Sequence, residues 1–175
     1  MISPLKLLKP SDGSLLFDPR WDILAHDVNC LAYAMQVIDH GYAVPGMLQN
    51  DEPDYLPPSK FSSDVMIDLM VGDGFHATDQ PKNGTIGLAM SYGDPTCDWD
   101  MAELDFCGSV FFNGQWFRKN TGMPIEHIES PEHSDAWGGG DGKFVCCFDI
   151  PPGGVLYRPR MALLQPDNDL IQALG

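Results

Sequence analysis

The sequence predicts an α+β domain in which a buried N-terminal helix carrying Cys30 packs on an antiparallel β-sheet. Three observations predict this class. Two segments with helical signals come first, strand-like runs fill most of the remaining chain, and Gly, Pro and Asn turn signals separate those runs. Because the helical and strand-like segments are segregated and do not alternate, the pattern favours an antiparallel sheet over a parallel one.

The first helix is predicted over residues 23–40. Apolar residues recur there at nearly helical spacing, and Gly41 ends the pattern. A second apolar stripe runs beside the first, so we expect the helix to be buried on most sides. The first stripe comprises Val28, Leu31, Ala32, Met35 and Ile38, and the second comprises Cys30, Tyr33, Ala34 and Val37.

A long loop and a second helix follow. Residues 43–60 carry four prolines, which predicts a loop that wraps the surface or borders a cleft. Ser62 or Ser63 then caps a helix that continues to about Val71, where a Gly-Asp-Gly sequence closes it.

The remaining runs are predicted as strands. Asn113 and Gly114 separate two aromatic-rich runs and predict a β-hairpin, because both central residues of its tight turn must tolerate positive φ. A Pro-Pro-Gly-Gly turn separates the last two runs. The five predicted strands cover residues 84–92, 105–112, 115–119, 143–150 and 154–164.

Length and composition predict a single domain spanning residues 1–175. The chain is 43% hydrophobic and 20% charged, as in an ordinary globular protein. It has no apolar run of about 20 residues, and its N-terminus lacks the features of a signal peptide. Five cysteines, with Cys146 next to Cys147, suit reduced thiols. We therefore expect a cytoplasmic protein, in the cytosol of its producer or of a host.

The charge is strongly acidic. The chain has 25 acids against 10 bases, a formal net charge of -15. Such a field repels nucleic acid and anionic membranes, so neither is an expected partner, and it attracts basic proteins. The acids form a solvated surface or a face that binds a basic protein or its nucleic-acid-binding site. One patch contains Asp94, Asp98, Asp100, Glu103 and Asp105.

Cys30 is the candidate nucleophile. If Asp27 is the N-cap, Cys30 is the third helical residue, and if Asn29 is the N-cap, it is the first. Either register places the sulfur in the first turn, where unpaired N–H groups and the helix dipole favour a thiolate. The structural alternative is a buried thiol that acts as a small hydrophobic side chain.

Residues 29–35, Asn-Cys-Leu-Ala-Tyr-Ala-Met, followed by Pro45-Gly46, resemble a family pattern, Asn-Cys-Tyr-Ala-Tyr-Ala plus Pro-Gly. That pattern is found in small bacterial and phage proteins related to the papain-like and NlpC/P60-like cysteine peptidases and amidases. The Asp-Gly pair at 73–74 is similar to the end of the family's second helix, and residues 105–122 resemble its hairpin. The resemblance spans about residues 29–125. It implies a papain-like fold and a thiol hydrolase.

The chain departs from the pattern at the expected catalytic histidine. Cys107 occupies that strand position, and Phe117-Arg118 replaces a Ser-His pair after the tryptophan. A thiol has an ordinary pKa near about 8.5 and is a poor base at neutral pH. If this strand takes the family's place, Cys107 should face Cys30 across the interface between helix and sheet, with their Cα atoms within about 10 Å.

Three consequences stay open. Another histidine reaches Cys30, with His127 preferred over His76 and His26; or Cys30 and Cys107 form a redox pair; or the site is inactive and the scaffold binds a partner. His127 is preferred because it follows the hairpin on the segment that would form the next strand.

The leading prediction is a hydrolase of peptide or amide bonds in a peptide or protein substrate. Cys30 is its nucleophile, Asn29 or a nearby backbone N–H stabilises the oxyanion, and His127 is the base. This chemistry needs no cofactor, and the spacing of His127 and His133 fits no zinc pattern. The alternative is a catalytically degenerate, acidic phage or effector protein that binds and inhibits a basic host protein.

Overall fold

A computed structural model of the chain describes residues 4–49, 63–91, 105–131 and 143–160. These residues form three helices and eight strands, which confirms the α+β class. None of the described helices has the length and apolar character needed to cross a membrane. The helices are α1 (Arg20–Ile23), α2 (Cys30–Ala34) and α3 (Ser63–Asp73), and the strands are β1 (Lys6–Leu8), β2 (His76–Thr78), β3 (Ile86–Ser91), β4 (Asp105–Phe112), β5 (Gln115–Arg118), β6 (Glu126–Ile128), β7 (Lys143–Asp149) and β8 (Val155–Tyr157).

Six strands form one antiparallel sheet in the order β2-β7-β3-β4-β5-β6, and β1 pairs with β8 in a separate two-stranded ribbon. The predicted hairpin between β4 and β5 is confirmed, because Phe112 pairs with Gln115 across a two-residue turn. Asn113 has φ 53° and Gly114 has φ 80°, as a primed turn requires.

The prediction of one helix over residues 23–40 is wrong, since α1 ends at Ile23 and α2 covers only Cys30–Ala34 of the segment. Asn29 is extended, with φ -107° and ψ 176°, and its Oδ1 accepts from the Ala32 amide, which starts α2 afresh. At the other end Gln36 has φ 58°, and the Val37 amide donates back to the Ala32 carbonyl, which closes the helix. The apolar pattern continues through these breaks because residues on both sides of α2, such as Val28 and Val37, are buried although they are not helical.

The second predicted helix is confirmed as α3, although it continues to Asp73. Residues 43–49 form no helix or strand, as predicted, whereas the rest of the proline-rich loop and Ser62 lie outside the described residues. The Asp73 carboxylate accepts from the Gly46 amide at 2.7 Å, which ties this loop to the end of α3. Burial raises the pKa of Asp73 to about 6.

The five predicted strands exist, with ends that differ by a few residues. Residues 161–164 of the last one, residue 92, His133 and positions 94–103 of the acidic patch lie outside the described residues. Two strands, β1 and β2, were not predicted, and β6 only as the segment after the hairpin. Each has three residues, too few for an alternating pattern to stand out.

The main core lies between the helices and one face of the six-stranded sheet. All five residues of α2 are buried, and α2 makes its most extensive contacts with β4. A smaller apolar cluster of Trp116, Ile128 and Cys147 covers part of the opposite face. The arrangement places the start of α2 against β4, and with it Cys30.

Candidate thiol site at the start of helix α2

Cys30 is the first residue of α2, and Asn29 fixes that position. The Oδ1 atom of Asn29 accepts from the amides of Ala32 and Ala43, each at 3.0 Å, and its Nδ2 donates to the Ala43 carbonyl at 2.7 Å. The side chain therefore holds the start of α2 to the following loop. Because this side chain is buried and one of its two Nδ2 N–H groups is used by Ala43, backbone N–H groups are the better candidates for an oxyanion donor.

The sulfur of Cys30 contacts the backbone of β4. The Gly108 amide donates to Cys30 Sγ at 3.2 Å, and Sγ donates to the Phe106 carbonyl at 3.7 Å. Phe106 and Gly108 precede Val110, the first residue of β4 that pairs with β5, so β5 does not cover this edge of β4. Cys30 is 6% exposed and is not disulfide-bonded. The Gly108 N–H stabilises the charged sulfur, whereas the Phe106 carbonyl and burial stabilise the neutral thiol.

The close approach of α2 to β4 depends on Gly108. A Cβ atom at this position would lie 3.0 Å from the Leu31 Cα atom and 3.2 Å from the Ala34 Cβ atom. Glycine is therefore the residue that lets the helix backbone reach the strand. Gly108 was not predicted from the sequence as a contact residue, although a glycine inside a strand-like run signals such a close approach.

The expected separation of the Cys30 and Cys107 Cα atoms is confirmed, whereas the expected direction of the Cys107 side chain is wrong. Cys107 directly precedes Gly108, whose amide contacts Cys30 Sγ, so the two cysteine Cα atoms lie within about 10 Å. Side chains alternate along a strand, and the position facing α2 is Gly108. Cys107 therefore points to the opposite face, and the register drawn from the resemblance is off by one residue. The inference that a histidine facing the helix was replaced by Cys107 fails with that register.

On that opposite face Cys107 meets Asn120. Cys107 Sγ donates to the Asn120 Oδ1 atom at 3.5 Å, and both residues are buried. Asn120 Nδ2 has no hydrogen-bond partner in the described part of the chain. No sequence signal pointed to Asn120, because it follows β5 in a segment without periodicity.

The segment after β5 is anchored to the connection between α1 and α2. The Gly122 amide donates to the Ala25 carbonyl at 2.7 Å, and the buried Lys119 Nζ donates to the same oxygen at 3.3 Å. Burial lowers the pKa of Lys119, while Asp22 acts in the opposite direction. This anchoring holds Asn120 near the Cys30 end of β4.

Two of the three candidate bases, His127 and His76, lie on strands away from β4. His127 is exposed on β6, and β5 separates it from β4, which corresponds to about 10 Å between the two strands. Its ring lies 5.8 Å from the Phe117 ring. His76 is exposed on β2, three strands from β4. His26 precedes α2 and lies against Gly122. The structure thus brings Asn29 to Cys30, and it does not bring His127 there.

Comparison with known protein families, with curated proteins and with solved structures yields no match to this chain. A function for the chain therefore has to be inferred from the geometry of its site.

Proposed function

We propose that the protein is a papain-like thiol hydrolase that cleaves a peptide or amide bond with Cys30 as its nucleophile. One observation carries the proposal: the sulfur of a helix-starting cysteine accepts the backbone N–H of Gly108 at 3.2 Å. An amide donor and the N-terminal end of a helix both stabilise a thiolate, the form that attacks a carbonyl carbon.

His127 lies on β6, two strands from β4, so the proposal does not use it as the base. The Cys30 sulfur donates its proton to the Phe106 carbonyl, so the residue must lose this proton before attack; because His127 lies two strands from β4, it is not the group that removes the proton. We therefore expect His127→Ala to retain the thiol-dependent activity, whereas Cys30→Ala abolishes it.

The experiment measures the reactivity of each cysteine in the folded protein. Iodoacetamide at pH 6–8 followed by peptide mass spectrometry should label Cys30 at least about tenfold faster than Cys147, a buried thiol of β7 that serves as the internal reference. Release of a fluorescent amine from a peptide-amide library should then occur with the wild type and not with Cys30→Ala. Equal, slow labelling of all cysteines until denaturation contradicts the proposal.

The second candidate function is an acidic binding protein directed at a basic protein. The net charge of -15 supports it, because such a field steers basic partners. Its test is displacement of labelled duplex DNA from a basic DNA-binding protein, which should weaken as salt rises. Displacement that Cys30→Ala retains, together with an unreactive Cys30, supports this function in place of hydrolysis.

A further inference from the structure

Arg160, which follows β8 in the chain, bridges the segment that follows α2. Its Nη1 donates to the Tyr42 carbonyl at 2.8 Å, and its Nη2 donates to the Met47 carbonyl at 2.6 Å. The Arg160 amide also donates to the Asp39 carbonyl at 3.0 Å. The residue therefore holds three backbone carbonyls of residues 39–47.

The peptide group between Tyr42 and Ala43 connects Arg160 to the thiol site. Its carbonyl oxygen accepts from Arg160, and its N–H donates to the Asn29 Oδ1 atom at 3.0 Å. The same Oδ1 atom accepts from the Ala32 amide, in the first turn of α2. A continuous chain of hydrogen bonds thus runs from the guanidinium to the residue that caps α2.

The charge of Arg160 strengthens this hydrogen-bond chain. A hydrogen bond from an ionised donor is about twice as strong as a neutral one. A carbonyl that accepts such a bond polarises its peptide group, so the N–H of the same group becomes a stronger donor. The Ala43 N–H is that donor, and Asn29 is its acceptor. Removal of the guanidinium therefore weakens a bond that fixes the Asn29 side chain.

Tyr42 has a second contact on the other side of the cap. Its hydroxyl donates to the His26 carbonyl at 2.8 Å, in the connection that precedes Asn29. Arg160 thus holds Tyr42 by its carbonyl, while the connection between α1 and α2 holds it by its side chain. A shift of Tyr42 would reach Asn29 through the Ala43 N–H and through the residues that precede the cap.

We propose that Arg160 is a positioning residue for Cys30 that acts through the Asn29 cap. Asn29 determines that α2 begins at Cys30, and the Cys30 sulfur accepts from the Gly108 amide at 3.2 Å. Without Arg160 the start of α2 is free to shift relative to β4, and the sulfur shifts with it. The role in hydrolysis rests on the proposed function, whereas the coupling of Arg160 to Asn29 does not.

Arg158 provides the matched control. It lies in the same segment as Arg160, and its Nε donates to the Gln49 carbonyl at 2.9 Å. That bond ends at a residue beyond the peptide group between Tyr42 and Ala43. Arg158→Ala therefore removes the same charge from the same segment and leaves the hydrogen-bond chain to the cap in place.

The test measures amide hydrogen exchange in the full chain by NMR. The reference is β3, which is paired on both sides and reports any general loss of stability. In Arg160→Ala, we expect exchange at Ala32 and Ala43 to accelerate at least about tenfold more than in β3, because both amides donate to the Asn29 side chain. In Arg158→Ala, the acceleration at these two amides should match that of β3 within about twofold.

The amide substrates of the proposed hydrolase give a second readout. Arg160→Ala should lower kcat by about 10- to 100-fold, because the nucleophile is displaced. KM should stay within about twofold of the wild-type value, because substrate binding is not altered. Arg158→Ala should leave both constants within about twofold of the wild type.

The variant Asn29→Ala tests whether the effect passes through the cap. With the acceptor absent, adding Arg160→Ala should accelerate exchange at Ala43 no more than in β3. A site-specific acceleration that persists in this background overturns the proposal, and so does uniform acceleration in Arg160→Ala alone. If Arg160→Ala does not fold, Arg160→Gln replaces it with the same expected result, since glutamine stays polar and lacks the charge.

The two proposals fail separately. Hydrolysis by the wild type together with uniform exchange in Arg160→Ala would refute only the role of Arg160. The site-specific exchange effect in a protein whose wild type hydrolyses no amide would refute only the proposed function.

Discussion

Adding one methyl group at Gly108 should separate α2 from β4. The new Cβ atom of Gly108→Ala would lie 3.0 Å from the Leu31 Cα atom, 3.2 Å from the Cys30 carbonyl oxygen and 3.2 Å from the Ala34 Cβ atom. Two of these atoms belong to the backbone and the third is fixed to it, so no flexible side chain can yield. The helix itself must move by a few tenths of an ångström.

The magnitude follows from two opposing effects. Overpacking in a core costs about 1–3 kcal/mol. Replacing glycine by alanine at a compatible backbone conformation returns about 0.4–1 kcal/mol by restricting the unfolded chain, and Gly108 does not have the positive φ that would add strain. We expect a net loss of about 1–2 kcal/mol in the free energy of unfolding, with a Tm lower by about 2–8 °C.

Urea unfolding followed by circular dichroism measures this loss. The matched control is Gly72→Ala in α3, where the added Cβ atom meets nothing within 4 Å and alanine should stabilise the helix by about 0.5–1 kcal/mol. Iodoacetamide labelling of Cys30 in Gly108→Ala should also change, because its sulfur moves relative to the strand amide. A Gly108→Ala protein as stable as the wild type would refute the close approach of helix and strand.

Three further predictions concern buried polar groups. Asn29→Ala should lower the free energy of unfolding by about 2–4 kcal/mol in a urea titration, since it removes a helix cap and leaves buried backbone groups unpaired; a loss below about 0.5 kcal/mol would contradict this role. Burial raises the pKa of Asp73 to about 6, so folding favours the neutral carboxyl. The free energy of unfolding should therefore fall by up to about 3 kcal/mol as pH rises from 4 to 6. Asp73→Asn should flatten this pH dependence, and an unchanged slope would exclude Asp73 as its source. Burial lowers the pKa of His40 to about 4, and Arg160 adds to the effect, so folding favours the neutral ring. The free energy of unfolding should therefore fall by up to about 3 kcal/mol as pH drops from 6.5 to 4. His40→Gln should remove this loss, and acid unfolding curves that coincide for the two proteins would contradict the role of His40.

Local chemistry made part of this structure predictable. The Asn113-Gly114 turn was predicted because its two residues are among the few that adopt positive φ without strain. Cys30 was placed in the first turn of a helix because both Asp27 and Asn29 are strong N-cap residues, and the structure uses Asn29. Both signals act within a few residues and need no knowledge of the rest of the fold.

The features that could not be predicted from the sequence depend on distant parts of the chain. The face on which Cys107 lies is decided by where α2 packs on β4, and a shift of one residue reverses it. The break between α1 and α2 is stabilised by contacts with the segment after β5, including the bond from the Gly122 amide to the Ala25 carbonyl. Asn120 reaches Cys107 only because that segment is anchored there.

The ribbon of β1 and β8 has a consequence for how the chain folds. Lys6 pairs with Tyr157, so this ribbon closes a loop of about 150 residues, whereas the hairpin of β4 and β5 closes a two-residue loop. Loop-closure entropy delays contacts between residues that are far apart in sequence. We expect the hairpin to form among the earliest structures and the ribbon among the last, so that substitutions in β1 mainly accelerate unfolding and leave the folding rate nearly unchanged.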